Sequence, residues 1–207
     1  MTAWPDREDG MTYTDEFLSN SKKIIDLLDR EAIERIASEL AAVRARGGRL
    51  FILGSGGGAG HASHAVNDFR KIAGIEAYAP TDNVSELTAR INDEGWETSY
   101  SNWLRVSRID ASDAILIFSV GGGDAVRGIS VNLVRCIDLA REVGATVLGI
   151  VGRDGGYTAA TGEAVVIPPV DSDTVTPQTE GLQAVIWHLL VSHPAVRQKP
   201  GKWESAT

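Results

Sequence analysis

The segment RLFILGSGGGAG, residues 49–60, decides the fold. It joins a short apolar run, residues 49–55, to a glycine-rich loop, residues 54–60. Because the run does not alternate with polar residues, it is typical of a strand buried on both faces of a parallel sheet. A helical pattern follows the loop. The segment therefore predicts one strand, one tight loop and one helix, in that order.

The same unit recurs along the chain. Strands that alternate with helices of ten to twenty residues predict an α/β fold, here a three-layer, doubly wound parallel sheet flanked by helices. The later apolar runs and predicted helices are DAILIFSV (residues 113–120), a helix over about 125–143, TVLGIVG (146–152), AVVIPPV (164–170) and a final helix over about 176–193.

A helical segment precedes the sheet, over residues 12–46, and the pattern favours two helices. Apolar residues in its second half are spaced by three, four and three, which places them on one helical stripe. Gly47 and Gly48 end it, as glycine does at a helix C-terminus. The stripe can pack on its own sheet or on another subunit. Its members are Ile33, Ile36, Leu40 and Val43.

Length and composition bound the domain organisation. The chain has 207 residues, which suggests one domain, and no proline lies between Pro80 and Pro168 to mark a linker. We expect a flexible N-terminus over residues 1–11, a single domain over 12–193 and a C-terminal tail over 194–207.

Charge and cysteine content exclude several classes of protein. Lysine plus arginine total 20 against 28 acidic residues, a net charge of -8, which argues against binding to nucleic acid or to an anionic membrane. Cys136 is the one cysteine, so no internal disulfide forms, and its apolar setting predicts a buried side chain. The acidic start, MTAWPDREDG, lacks the features of a signal peptide. We expect a cytoplasmic protein.

Two glycine loops predict a ligand crevice. GSGGGAG (54–60) and SVGGGDA (119–125) each lie between a predicted strand and a predicted helix. Glycine lets a ligand approach the backbone closely, and a helix N-terminus presents N–H groups that suit phosphate. Such loops at the carboxyl ends of parallel strands mark the usual crevice of open α/β sheets. The alternative is a pair of tight turns without a ligand.

Polar residues on two predicted helices form a second candidate site. His61, His64 and Asp68 fall on one helical face, and the pair His64 and Asp68 has the i, i+4 spacing common to metal ligands and acid–base pairs. On the final helix, Glu180 and His188 are eight residues apart, which offsets them by only about 80° around the axis. The alternatives are a solvated His61 and a hydrogen-bonded core His188.

Taken together, these motifs resemble the sugar isomerase (SIS) domain family, and within it the phosphoheptose isomerases, over residues 12–193. The family motif GNGGS, with a histidine and then a glutamate four residues on, is similar to GSGGG with His64 and Asp68. Asn92-Asp93 is similar to an Asn-Asp pair of the family, and SVGGGD (119–124) is similar to its STSGNS loop. GRDGG (152–156) is similar to its GKDGG motif, and Glu180 with His188 is similar to its glutamine and histidine eight residues apart.

The resemblance implies the SIS fold and an aldose–ketose isomerase. Such an enzyme converts sedoheptulose 7-phosphate to D-glycero-D-manno-heptose 7-phosphate through an enediol(ate), with Asp68 and His188 as the acid–base pair. It also implies a homotetramer with active sites between subunits. The implied Zn²⁺ ligands are His64, Asp68, Glu180 and His188. The implied substrate-binding residues are Ser55, Gly56, Gly57, Gly58, Asn92, Asp93, Ser119, Val120, Gly121 and Asp124.

The sequence departs from the family in both sites. Asp68 replaces a glutamate and Glu180 a glutamine, while four hydroxyl residues of the loops are replaced. Asp124 is expected to cap the following helix, which would place a carboxylate close to a bound phosphate. These changes keep two alternatives open: a non-catalytic module that binds a sugar phosphate or a protein partner, as relatives that bind the bacterial replication initiator do, and an isomerase of a different sugar. The replacements of hydroxyl residues are Gly58, Val120, Gly121 and Asp124.

Overall fold

Five parallel strands form the sheet that the apolar runs predict. The structure is a computed structural model and describes residues 10–199. The predictions for residues 1–9 and 200–207 lie outside the described residues. The strand order is β2-β1-β3-β4-β5. The strands are β1 (Arg49–Gly54), β2 (Glu76–Tyr78), β3 (Ala114–Ser119), β4 (Thr146–Gly152) and β5 (Glu163–Ile167).

Eight helices lie within the described residues and cover both faces of the sheet. Their bounds are α1 (Tyr13–Leu27), α2 (Arg30–Ala45), α3 (Gly57–Lys71), α4 (Val84–Glu94), α5 (Trp96–Val106), α6 (Val131–Val143), α7 (Gly156–Thr161) and α8 (Val175–Ser192). None of them is both long enough and apolar enough to cross a membrane.

Each central strand contributes side chains to two separate cores, because successive strand residues point to opposite faces. Leu50 and Ile52 of β1 pack in the core formed with α2, α3 and α8. Phe51 and Leu53, the residues beside them, pack in the core formed with α5 and α6. This arrangement confirms the predicted three-layer α/β fold and explains why the strands read as continuous apolar runs.

The apolar stripe of the N-terminal segment packs on its own sheet. Ile36, Leu40 and Val43 of α2 are fully buried in the domain core. Helix α1 is different, because it buries Ile24 but leaves Leu18 more than half exposed. The prediction of two helices over 12–46 is therefore confirmed, and of these two helices only α1 leaves large apolar side chains exposed.

The second glycine loop differs from its prediction. Helix α6 begins at Val131 rather than near residue 125, and Ser130 is the residue that precedes it. Asp124 and Ile129 instead pair with each other through two backbone hydrogen bonds of 2.9 and 3.0 Å. We call residues 124–129 the 124–129 hairpin. The prediction that Asp124 caps α6 is wrong, because these six residues intervene between the loop and the helix.

The first residues of the predicted C-terminal tail pack against the domain. Val196 is fully buried. The guanidinium of Arg44 donates to the carbonyl oxygens of Ala195, at 3.0 Å, and Val196, and the Gln198 N–H donates to the Ile72 carbonyl. The domain therefore continues past residue 193, the end expected from the sequence.

Cys136 of α6 is buried, as its apolar setting predicts, and burial raises the pKa of its thiol. Because the thiolate is the reactive form, we expect the native protein at pH 8 to react with a thiol-specific disulfide reagent at least about 100-fold more slowly than free cysteine. One thiol per chain should react after unfolding in guanidinium. Rapid labelling of the native protein would contradict this burial.

Candidate active site

Three of the residues singled out on the helices meet at one point. Helices α3 and α8 pack side by side, so His64 and Asp68 of α3 face His188 of α8. The Asp68 Oδ2 atom lies 3.7 Å from His64 Nε2 and 4.0 Å from His188 Nε2. Donor atoms of the three side chains all lie within 4.8 Å of one another. The packing thus assembles two imidazoles and a carboxylate from helices more than a hundred residues apart.

The ring of His188 is oriented by its own helix. Its Nδ1 lies 2.7 Å from the backbone carbonyl oxygen of Ala184, one turn earlier. A carbonyl only accepts, so Nδ1 carries the proton and Nε2 keeps its lone pair in the neutral ring. That lone pair is on the nitrogen nearer Asp68. His188 can therefore accept a proton or bind a cation at Nε2.

Asp68 is the most buried member of this cluster. Its side chain is 14% exposed, whereas the side chains of His64 and His188 are more than half exposed. Its Oδ1 accepts a hydrogen bond of 2.8 Å from the Asn67 amide, which leaves Oδ2 directed at the two imidazoles. Trp187, fully buried, contacts both imidazole rings and forms the floor of the cluster. The carboxylate is thus held in place while the histidines remain open to solvent.

Glu180 lies beside the cluster and not within it. Its carboxylate packs on the first glycine loop, where a Cβ added to Gly57 would lie 2.5 Å from the carboxylate atoms. His61 is close to Glu180 and places its ring edge-on to Phe118. Burial lowers the pKa of His61, although a hydrogen bond with the Glu180 backbone and the charge of the Glu180 carboxylate oppose that effect. His61 is half-buried, which differs from the solvated residue favoured by the sequence.

A cleft of about 1010 Å³ opens at the carboxyl ends of the strands. The first glycine loop contributes Ser55 to its wall. The second loop contributes the predicted binding residues Ser119, Val120, Gly121 and Asp124. The cleft is therefore built where the two glycine loops meet, as the fold class predicts. Arg127, Ser130 and Arg153 also line it. The sequence predicts a site role for none of the three, although Arg153 belongs to the GRDGG segment.

The glycines of the second loop let it dock against the turn that follows β4. The Gly122 carbonyl accepts hydrogen bonds from the N–H and hydroxyl of Thr158, at 3.0 and 2.7 Å, and the Gly123 carbonyl accepts one from Tyr157 N–H at 2.8 Å. Gly122 has φ +69°, and a Cβ there would lie 1.9 Å from the Gly155 carbonyl oxygen. Part of the glycine excess therefore serves contact between two loops and not contact with a ligand.

Other predicted binding residues lie outside this cleft. Gly56 precedes α3 and Gly57 is its first residue. Gly58 is buried, and a Cβ there would lie only 2.5 Å from the Phe118 carbonyl oxygen, which is too close. Asn92 and Asp93 are exposed on α4, where the Asn92 amide donates to the Asp93 carboxylate at 2.7 Å. A role of these residues in substrate binding stays a prediction.

Comparison with known proteins places these features in a family. Residues 12–152 match the SIS domain. The chain is 32% identical to the phosphoheptose isomerase of Trichlorobacter lovleyi, over 76% of this chain and 78% of that protein. It is 31% identical to the phosphoheptose isomerase of Geobacter sulfurreducens, over 85% of this chain and 89% of that protein. The structure of the phosphoheptose isomerase GmhA from Neisseria gonorrhoeae matches with a TM-score of 0.74 at 22% identity, covering 86% of this chain and 95% of that one, a likeness of fold.

Proposed function

Because the chain belongs to the SIS domain family, we propose that it is an aldose–ketose isomerase that interconverts sedoheptulose 7-phosphate and D-glycero-D-manno-heptose 7-phosphate. The observation that carries the proposal is the cluster of His64, Asp68 and His188. Curated relatives that this chain matches over most of its length are phosphoheptose isomerases. A module that only binds a sugar phosphate has no need of two imidazoles around an oriented carboxylate, so the cluster favours catalysis.

Isomerisation moves a proton between neighbouring carbons. Asp68 is the base in this proposal, and it takes the proton from the hydroxyl-bearing carbon next to the ketose carbonyl. Its Oδ2 is the oxygen left without a hydrogen bond from Asn67, so it is the one that receives the proton. The electrons of the broken C–H bond form the enediolate, and the carboxylic acid then returns a proton to the former carbonyl carbon. A positioned acid–base group of this kind contributes about 10²–10⁴-fold in rate.

His188 transfers the proton between the two oxygens of the enediolate. With Nδ1–H bound to the Ala184 carbonyl, His188 Nε2 accepts the hydroxyl proton from one oxygen, and the imidazolium donates it to the other. The 4.0 Å between Nε2 and the Asp68 carboxylate lets two groups work on adjacent atoms of one small substrate. The former carbonyl oxygen ends as a hydroxyl, and the hydroxyl oxygen of the ketose ends as the aldehyde.

The same cluster fits zinc by its donor set. Ligand atoms in a tetrahedral zinc site lie about 3.4 Å apart, given bonds of about 2.0–2.1 Å. The distances of 3.7 and 4.0 Å around Asp68 Oδ2 are close to that value, and His188 Nε2 carries a lone pair. We propose that His64, Asp68 and His188 hold Zn²⁺. Zinc bound there would polarise the carbonyl and hydroxyl oxygens of the substrate. With the metal bound, His188 would act as a ligand and not as the proton acceptor, because Nε2 has a single lone pair. Glu180 as a fourth ligand stays a prediction.

Zinc binding gives a test that does not depend on turnover. Protein dialysed against Zn²⁺ and then freed of excess metal should retain about one ion per chain. His64→Ala should lower the retained zinc below about 0.2 per chain, while His193→Ala, on a histidine that pairs with Glu34 outside the cluster, should leave it unchanged. Elemental analysis of the three proteins measures the ratio. Equal zinc in the His64→Ala and unmodified proteins would rule out this ligand set.

A cytoplasmic homotetramer completes the proposal. Helices α1 and α8 leave apolar side chains exposed, among them Leu18, Ile25, Val185 and Leu189. Burying them against other copies of the chain would stabilise an assembly by about 25 cal/mol per Å² of apolar surface. Static light scattering on a size-exclusion column should give a mass near four chains, and Leu18→Arg should lower it. A mass of one chain for the unmodified protein would contradict the tetramer.

The substrate assignment is tested by comparing two ketoses. Purified protein incubated with sedoheptulose 7-phosphate should form the aldose phosphate, detected by anion-exchange chromatography, whereas sedoheptulose without phosphate should give at least about 100-fold less product. Absence of aldose from either sugar would overturn the proposed function. Equal turnover of both would show instead that the enzyme does not recognise the phosphate, and it would favour an isomerase of an unphosphorylated sugar.

A further inference from the structure

The cleft contains a cation that no other described side chain neutralises. Arg153 follows β4 and lines the cleft, next to Gly121 of the second glycine loop. Within residues 10–199 the structure gives its guanidinium neither an ion pair nor a hydrogen bond. Its backbone has φ 56°, in the left-handed region that non-glycine residues seldom adopt. A strained backbone that presents an unpaired cation to a cleft is typical of a binding residue.

Hydroxyl groups surround the same space. The Ser119 hydroxyl oxygen accepts a hydrogen bond of 3.0 Å from Gly122 N–H, so its own proton is free to be donated. Ser130 precedes α6 but makes no capping bond with its side chain, and its φ is 52°. The Ser55 hydroxyl accepts from the amide of Asn132, which is fully buried in the first turn of α6. These three hydroxyls line the cleft together with Arg153. Ser119 is retained from the family loop, and Ser55 and Ser130 offer hydroxyls at positions that the loop substitutions do not affect.

The 124–129 hairpin places a second arginine at the edge of the cleft. Arg127 is 75% exposed, and its Nε lies 2.8 Å from Asp124 Oδ2. The Asp124 carboxylate also accepts from the N–H groups of Val126 and Arg127, at 2.9 and 2.8 Å, and these bonds lower its pKa. The negative charge expected to repel phosphate is therefore held by the hairpin and paired with a cation.

The remaining carboxylates of the cleft are also engaged. Asp154 accepts from Gly156 N–H at 3.2 Å. Asp171 accepts from Asp173 N–H and from the Thr174 hydroxyl, at 3.1 and 2.8 Å. Each negative charge in the wall thus has donors of its own, which leaves Arg153 as the unpaired charge among the described lining residues.

We propose that Arg153 and Arg127 select the phosphorylated substrate: Arg153 binds the phosphate directly, and Arg127 exchanges its Asp124 partner for the phosphate when the sugar enters. The proposal rests on the proposed function for its substrate and adds two arginines to the family's serine loop. Guanidinium groups match phosphate oxygens with two parallel hydrogen bonds, so they compensate for lost hydroxyl donors.

Binding of inorganic phosphate to the full chain, measured by isothermal titration calorimetry, tests the first arginine. Arg153→Gln should weaken phosphate binding at least tenfold, and Arg105→Gln should have no effect, because Arg105 pairs with Glu142 on the surface outside the cleft. In turnover, Arg153→Gln should raise KM for the sugar phosphate at least tenfold and change kcat less than threefold. Unchanged phosphate affinity in Arg153→Gln would overturn the proposal.

The exchange of partners is tested by a cycle of variants. Asp124→Asn should tighten phosphate binding about threefold, because it frees Arg127, and Arg127→Gln should weaken it about threefold. The double variant should bind like Arg127→Gln. If Asp124→Asn tightens binding equally with and without Arg127, the carboxylate acts by simple repulsion and the exchange is wrong.

These readouts separate the inference from the function beneath it. Phosphate affinity depends on the cleft alone and can be measured in the Asp68→Asn protein. If the unmodified protein shows no turnover of the sugar phosphate but Arg153→Gln still weakens phosphate binding, the binding site would be supported and the isomerase overturned. Turnover of the sugar phosphate with KM unaffected by Arg153→Gln would support the isomerase and overturn the role of this arginine.

Discussion

Asp68→Asn should lower kcat for the sugar phosphate by about 10²–10⁴-fold, the range that a positioned acid–base group contributes. The amide keeps the size of the side chain but cannot accept the proton at the oxygen that faces His64 and His188. Phosphate affinity should stay within about twofold, since Asp68 lies outside the cleft lining. Steady-state kinetics at saturating substrate measure the change, and circular dichroism checks the fold.

Asp68→Glu is the matched control for that variant. It restores the carboxylate that the resembled family carries at this position, so its kcat should exceed that of Asp68→Asn by at least tenfold. An Asp68→Asn protein with the kcat of the unmodified enzyme would show that the base is another group. His61 and Glu180 would then be the next residues to replace, because His61 interacts electrostatically with Glu180, His64 and His188.

The largest expected effect on stability comes from Asp113→Ala. Asp113 is fully buried at the start of β3, and its carboxylate accepts from Arg49 N–H, Nε and Nη2 of β1, at 2.8, 3.1 and 2.7 Å. It also accepts from Asp110 N–H at 3.0 Å. Removing one member of a buried, hydrogen-bonded ion pair costs about 3–5 kcal/mol, because the partner's charge and the N–H groups lose their acceptor.

Urea unfolding at a fixed chain concentration measures this loss. Glu142→Ala is the control, because it breaks the exposed pair with Arg105, which is worth about 0–1 kcal/mol. A free energy of unfolding reduced by less than about 1 kcal/mol in Asp113→Ala would show that the Arg49–Asp113 link does not hold the first two central strands together.

The central sheet could be predicted because its strands are short runs of apolar residues buried on both faces. RLFILG and AILIFS carry no competing signal, and both lie within a residue of their predicted positions. β2 (Glu76–Tyr78) has only three residues at the edge of the sheet, with one buried, so it leaves no comparable pattern in the sequence.

The start of α6 could not be placed from the sequence. A run of three glycines followed by aspartate resembles a loop that leads straight into a helix, so the pattern predicts that Asp124 caps it. The 124–129 hairpin depends on a pair of backbone bonds between Asp124 and Ile129, which no side-chain periodicity records. Because the hairpin displaces the start of the helix, Ser130 is the residue that precedes α6. Its hydroxyl therefore lines the cleft.

Part of the candidate site could also be predicted from the sequence, and part of it could not. Helical spacing places His64 and Asp68 together, since residues four apart share a helix face. The approach of His188 depends on the packing of α3 against α8, for which the sequence offered only the eight-residue spacing to Glu180. Arg153 stands in the GRDGG segment that resembles a family motif, but no role could be predicted for it, because its significance lies in a backbone conformation and in the absence of a partner within residues 10–199.

The most direct measurement of the central claim is proton NMR of sedoheptulose 7-phosphate incubated with the enzyme in D₂O. Transfer through an enediolate, with a proton that exchanges with solvent on the base, predicts aldose phosphate carrying deuterium at the former carbonyl carbon. The Asp68→Asn protein should form neither aldose nor deuterated ketose over the same period. Aldose without deuterium, as a hydride shift would give, or no aldose from the unmodified protein, would contradict the account.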